Sequence, residues 1–222
     1  MPKKKLIHFQ ENLTFQHLFQ PSYGDLNEGF EMYGHWHAAY FGNSNPIVIE
    51  LGCGKGEYTL GLAQRYPDTN FIGIDVKGAR LWRGCKTVAE KGIHNVAFVR
   101  TLVDHTELLF APGEVSGIWI TFPDPQPKRE HRRLTAPGFL AKYRNILAPD
   151  SPIHLKTDDH DFFDFTLAVI REHNHRLLSA TDDLYHSGSE EEVLTIRTFY
   201  ENIWLEKGKK ICYLRFCLNK KM

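Results

Sequence analysis

The stretch NPIVIELGCGKGEYTLGLAQRYP, residues 45 to 67, constrains the fold more than any other part of the chain. Ile47 to Leu51 is a short run of mostly branched apolar residues bounded by turn formers, the signature of a strand buried on both faces. Glycines follow at positions 52, 54 and 56, and then a segment with helical spacing that Pro67 ends. A strand that runs through glycines straight into a helix begins a βαβ unit, and βαβ units build parallel sheets. The alternation continues along the chain. NFIGID reads as strand, and VKGARLWRGCKTVAEKG as a helix closing on Gly92. NVAFVR is strand, followed by a short helical turn around DHTELLF. GIWITF is strand, and TAPGFLAKYRNILAP is a helix with Thr135 at its N-cap. PIHLKT is strand, DFFDFTLAVIREHN helix, and RLLSATD and KICYLRFCL are late strands. The expectation is an α/β fold with a mostly parallel sheet covered on both faces.

At 222 residues and 42% hydrophobic content, the chain has ample material for one packed domain. That domain is expected over residues 46–222. Residues 1–45 lack clear periodicity but carry Phe15, Phe19, Tyr23, Phe30, Tyr33, Trp36, Tyr40 and Phe41, so they are expected to wrap onto the core as an N-terminal arm. Order is least expected at the lysine-bearing ends, MPKKK and NKKM. Nothing resembles a transmembrane run, and residues 1 to 20 lack the apolar centre of a signal peptide, so no membrane partner is expected. Cys53, Cys85, Cys212 and Cys217 are scattered without a CxxC pair, which argues against structural zinc and a disulfide framework and fits a reducing cytoplasm. The 12 histidines show no HExxH or similar spacing, and no metal site is expected. A net charge of zero argues against indiscriminate nucleic-acid binding but allows a local basic patch. Monomer and homodimer both remain open.

Ligands of parallel sheets sit beyond the carboxyl ends of the strands. The polar and glycine residues cluster there: Gly52 to Gly56, Asp75, Asp124 and the Thr157-Asp158 pair, with Leu102 at the corresponding end of the NVAFVR strand. The glycine turn is not a P-loop, because Lys55 precedes glycine and Ile49 stands where the first glycine is needed. It also misses the dinucleotide spacing, since its third glycine comes one position early. With Glu50 two positions upstream, the pattern E-x-G-x-G-x-G resembles the first motif of class I S-adenosylmethionine-dependent methyltransferases. Asp75 could accept both ribose hydroxyls of that cofactor or of NAD, so it does not discriminate; Glu50 and the glycine spacing do.

The most distinctive segment is ITFPDPQPKREHRRLT, residues 120 to 135. Prolines bracket Asp124, and Lys128, Arg129, His131, Arg132 and Arg133 follow, diluted only by Glu130. A solvated loop would look similar. Proline on both sides of an acid, however, preorganises it, and a basic run suits phosphates. Together with WHAAYFGNSNPIVIELGCGKGEY, NFIGID, IHLKTD and TFYE, this segment makes the chain similar to the bacterial tRNA (guanine-N7-)-methyltransferase family, from about Tyr33 to Phe216.

The resemblance implies a seven-stranded Rossmann-like class I methyltransferase sheet with a late antiparallel strand. It implies transfer of a methyl group from S-adenosyl-L-methionine to N7 of a tRNA guanine in the variable loop, leaving S-adenosyl-L-homocysteine. Glu50, Gly52, Gly54, Gly56, Asp75, Leu102 and Asp124 would hold the cofactor, with Asp124 also acting in catalysis. Lys128, Arg132, Arg133, Asp158, Thr198, Tyr200 and Glu201 would hold the RNA. For Asp158 the residues alone leave helix N-capping open as well. Three departures stand out. Gln126 replaces a tryptophan usual in the family, the basic loop is two residues short, and Leu102 stands where an acid usually lies beside the adenine, with Asp104 two positions on. A methyltransferase acting on a small molecule or protein, and a non-catalytic RNA-binding relative, are the competing readings.

Overall fold

The computed structural model describes residues 3–188 and 192–219. The outermost residues of both lysine-bearing ends, 1–2 and 220–222, lie outside them. The arm contributes helix α1 (Lys3–Asn12), strand β1 (Leu18–Phe19), helix α2 (Tyr23–Gly29) and a π-helical turn at Trp36–Phe41. Then come β2 (Ile47–Leu51), α3 (Glu57–Arg65), β3 (Asn70–Ile74), α4 (Gly78–Lys91), β4 (Val96–Val99), α5 (Thr106–Leu109) and β5 (Gly117–Thr121). The chain continues with α6 (Pro137–Ile146), β6 (Pro152–Thr157), α7 (His160–Glu172), β7 (Arg176–Thr181), α8 (Phe199–Glu206) and β8 (Cys212–Cys217).

The strands form one sheet in the order β1-β4-β3-β2-β5-β6-β8-β7. The expected seven strands are β2 to β8, and the arm adds β1 at the edge. β1 to β6 run parallel, and β8 is antiparallel to both neighbours, β6 and β7. The strand order reverses between β2 and β5, which opens a crevice beyond their carboxyl ends.

Alternation along each strand divides the core between the two faces. Ile47, Ile49, Leu51, Ile72, Ile74, Ile118, Ile120, Ile153 and Leu155 pack toward α6 and α7. Phe71, Val96, Phe98, Trp119 and Tyr213 pack toward α3 and α4. The arm straddles the sheet edge. Leu18 joins the second cluster, while Phe19 and Trp36 join the first. Trp36 is fully buried, and its ring N–H donates to the Leu109 carbonyl at 3.0 Å.

One expected cap is corrected. Thr135 does not cap α6; the N-cap is Ala136, which has no capping side chain, and Pro137 starts the first turn with its fixed φ. Thr135 is fully buried and shares a 2.7 Å hydrogen bond with the Thr166 hydroxyl of α7, so its oxygen faces the neighbouring helix.

Candidate active site

The turn from β2 to α3 needs glycine three times in succession: Gly52, Gly54 and Gly56 have φ of 74°, 58° and 71°. Gly56 is also confined, since a Cβ there would lie 2.5 Å from Phe98 Cζ. Gly52 and Gly54 face open space, so a ligand can approach their backbone. Asp75, at the end of β3, laces this turn. Its Oδ2 accepts from the Gly54 N–H at 2.9 Å and its Oδ1 from the Lys77 N–H at 2.7 Å.

Glu50 lies behind the turn and away from the ligand side. One oxygen accepts from the N–H of Thr59 at 2.8 Å and from its hydroxyl; the other accepts from the Thr121 hydroxyl at 2.5 Å. Glu50 therefore ties β2 to the first turn of α3 and to the end of β5. Burial pushes its carboxyl up to about 7, against the hydrogen bonds from Thr121 and Thr59 that favour the anion.

Beyond the strand ends lies a cavity of about 330 Å³, within the usual range of roughly 300–1,000 Å³ for ligand sites. One rim carries Gly52, Asp75, Lys77, Arg80 and Leu102; the other carries Phe122, Pro123, Asp124, Gln126 and Arg132. Larger hollows of about 450 and 540 Å³ lie within the arm around Phe30 and Glu31, and neither touches the glycine turn or the proline loop. Leu102 is half-exposed and gives the cavity an apolar wall. Two non-glycine residues of the proline loop, Phe122 and Gln126, adopt φ of 47° and 48°. Such backbone is costly for bulky side chains and persists where the surroundings impose it. Asp124 Oδ1 accepts from the Gln126 N–H at 3.1 Å, and among the described residues Oδ2 has no partner.

The basic loop divides. Lys128, Arg129 and Arg132 are exposed. Arg133 is only 3% exposed and is withdrawn from the expected phosphate contact. Its Nε donates to the Pro125 carbonyl at 2.9 Å, it pairs with Glu130 at 3.4 Å, and its guanidinium lies 4.7 Å from the Phe165 ring centre. It pins the proline loop to α7.

The later motif residues also sort by burial. Asp159 caps α7 by accepting from the Phe162 N–H at 2.7 Å, while Asp158 accepts from Lys209 Nζ at 2.7 Å and lies outside the cavity wall. Thr198 and Glu201 form a capping box at the start of α8. Glu201 is fully buried; it accepts from Lys156 Nζ at 2.8 Å and from the Tyr185 hydroxyl at 2.6 Å. Lys156, equally buried, also donates to the Leu194 and Ile196 carbonyls, and burial lowers its pKa while Glu201 opposes that shift. Tyr200 and its neighbour Phe199, which the sequence analysis did not single out, stay exposed. Lys55 of the glycine turn lies 4.1 Å from the Phe199 ring centre, and the Phe199 N–H donates to Glu57. The spacing of the motif, one small capping residue followed by two aromatics and an acid, was the available signal.

A doubly wound sheet with an antiparallel strand inserted between β6 and β7, and a glycine turn preceded by Glu50 at its switch point, define a class I methyltransferase. The family model described as putative methyltransferase matches residues 44–214. Solved structures with the same fold include the 16S rRNA methyltransferase KamB, with a TM-score of 0.63 at 13% identity over 90% of this chain and 94% of that one. An antibiotic-related methyltransferase superposes with a TM-score of 0.60 at 20% identity, over 79% of this chain and 88% of the other. Curated relatives narrow the class. The tRNA (guanine-N(7)-)-methyltransferase of Christiangramia forsetii is 51% identical over 96% of this chain and 97% of its own length. That of Bacteroides thetaiotaomicron is 46% identical over 98% and 87%, and that of Streptococcus thermophilus 41% over 80% and 83%. The chain belongs to the tRNA (guanine-N7-)-methyltransferase family.

Proposed function

We infer that this protein methylates N7 of a guanine in tRNA, using S-adenosyl-L-methionine as donor. The observation that carries the reading is the single cavity whose facing rims present Asp75 and open glycines on one side and Asp124 and Arg132 on the other. The residues suit the cofactor. Asp75 offers carboxylate oxygens at the ribose position, Leu102 an apolar wall, and Gly52 close backbone approach. When bound, S-adenosylmethionine supplies an electrophilic methyl on a sulfonium. Leu102 leaves the adenine without the family's usual acid, and Asp104, on the same wall, is the carboxylate nearest in sequence.

Guanine N7 carries a lone pair in the ring plane and no proton at neutral pH, so the protein has no proton to remove. What remains is to orient the base and to meet the positive charge that develops on it. Asp124 suits both tasks: its loop is fixed by two prolines and by Arg133, and its Oδ2 is open to a guanine donor. Lys128, Arg129 and Arg132 are placed to meet phosphates, which position RNA without reading sequence. Exposed Phe199 and Tyr200 offer stacking faces beside the glycine turn. The family resemblance refines the target to the variable-loop guanine. Four free, buried cysteines accord with a reducing cytoplasm. Among the described residues, no helix is long and apolar enough to cross a membrane.

The test is methyl transfer from labelled donor to bulk tRNA, with nucleoside digestion of the product. 7-Methylguanosine is the expected product, and label only in protein, in free nucleosides or at another base position would overturn the reading. In single turnover, Asp124→Asn is expected to slow transfer by about 10²–10³, the scale of one preorganised electrostatic contact.

A further inference from the structure

Helix α4 starts at the cavity and leads away from it with one charge sign. Its buried face is Leu81, Gly84, Cys85 and Val88. Outside it stand Lys77, Arg80, Arg83 and Lys86, one every third residue, a row inclined to the helix axis that winds from the cavity toward the arm, and no acid occurs from Lys77 until Glu90. The stripe spans about 13 Å at 1.5 Å rise per residue. Lys77 and Arg80 line the cavity, and Arg80 reaches the Tyr200 hydroxyl at 3.3 Å. Lys77 and Arg83 are exposed. Among the described residues neither they nor Arg80 has a carboxylate partner, and Lys86 meets Glu11 only at 4.0 Å. Trp82 lies between Arg83 and the arm, stacked on His8 with ring centres 3.7 Å apart, and the Lys86 ammonium sits 5.0 Å from the Trp82 ring centre. In a chain of zero net charge, such an unbalanced run makes a local positive potential that attracts an anion.

The geometry of the reaction says which anion. A nucleotide whose base enters the cavity sends its chain off in two directions, 5′ and 3′. The loop bearing Lys128, Arg129 and Arg132 flanks one rim; the α4 stripe flanks the other. We propose that the α4 stripe is a second phosphate track, binding the tRNA backbone on the side of the target nucleotide opposite the Lys128–Arg132 loop. The stripe fits an RNA strand because successive charges, three residues apart, are neighbours about 5–6 Å from one another on the helix surface, and an exposed aromatic lies beside its origin, at Tyr200.

The inference rests on the tRNA reading above, and the experiment separates the two. Arg83→Ala/Lys86→Ala, outside the cavity wall, is compared with the unaltered chain and with Arg171→Ala, an exposed charge on α7 across the sheet. Binding of tRNA is followed from about 50 to about 200 mM salt, where each lost phosphate contact lowers the log–log slope by roughly 0.7–0.9. The double variant should bind tRNA about tenfold more weakly, with the slope reduced by about one to two. The KM for tRNA should rise, with kcat at saturating tRNA and S-adenosylmethionine affinity unchanged and the control like wild type. An unchanged tRNA affinity and slope in a double variant that melts like its parent would overturn the proposal. So would loss of sedimentation with phosphatidylserine vesicles in place of the tRNA effect, which would assign the stripe to a membrane surface. If the unaltered chain neither binds tRNA nor forms 7-methylguanosine, both readings fall; if it does both, only the stripe is at stake.

Discussion

Glu50 is a carboxyl group shielded from water and held by two threonines, and the consequence is a pH dependence of defined sign. Because burial raises its pKa from 4.5 to about 7, the fold favours its neutral form. The stability it contributes is complete below the ordinary value and is lost as pH rises through about 7. Relative to Glu50→Gln, the wild type should lose on the order of 3 kcal/mol across that window. Urea unfolding at a series of pH values reads the difference, and parallel curves for the two proteins would refute it. Arg132 and Arg133 show where sequence reading ends at this scale. They are neighbours in one polar run, and nothing in composition separates them. The return of the loop over α7 buries one and leaves the other on the cavity rim. Arg133→Ala should cost about 1–3 kcal/mol through its lost charge-assisted hydrogen bonds and ring contact, whereas Arg132→Ala should melt like wild type and weaken tRNA binding. Thermal melts paired with anisotropy titrations distinguish the two, and identical behaviour would return both to the RNA surface.

From Ile47 to Glu172 the order of the elements was readable, because strands of a parallel sheet are buried on both faces and stand out as apolar runs. The glycine turn was readable for the same reason in reverse: three closely spaced glycines have few uses but a left-handed backbone. Helix α8 was not. Its eight residues, FYENIWLE, are too few for periodicity, and the T-x-x-E spacing of a capping box was assigned to RNA contact. Only the tertiary arrangement reveals that Glu201 meets the buried Lys156 and that their pairing fastens α8 and the Leu194–Ile196 segment to the end of β6. Glu201→Gln leaves that ammonium buried without its counter-charge, at a cost of about 3–5 kcal/mol. Replacing both partners, as Lys156→Met/Glu201→Leu, should cost less than the single change. Denaturant unfolding of the three variants checks this, and a double variant less stable than Glu201→Gln would show that the pair contributes more than mutual compensation.

At the scale of the molecule, the arm closes the sheet. β1 supplies only two residues, yet it pairs with β4, and those two, Leu18 and Phe19, enter opposite halves of the core. Exposed edges invite association with other chains. Removal of residues 1–20 should therefore lower the melting midpoint by several degrees and raise light scattering on heating; a truncated chain that stays monodisperse with an unchanged midpoint would argue that β4 needs no cover. The sequence could not show this pairing, because a two-residue strand has no periodicity and its partner lies far along the chain. That distance has a consequence during synthesis. Gln20 and Arg100, which hydrogen-bond beside β1, are 80 residues apart. At about 5–20 residues per second, the ribosome needs roughly 4–16 s between making one and the other. The arm thus waits for β4, and for those seconds Phe15, Leu18, Phe19 and Trp36 travel without the surface they will cover, available to whatever chaperone waits at the exit.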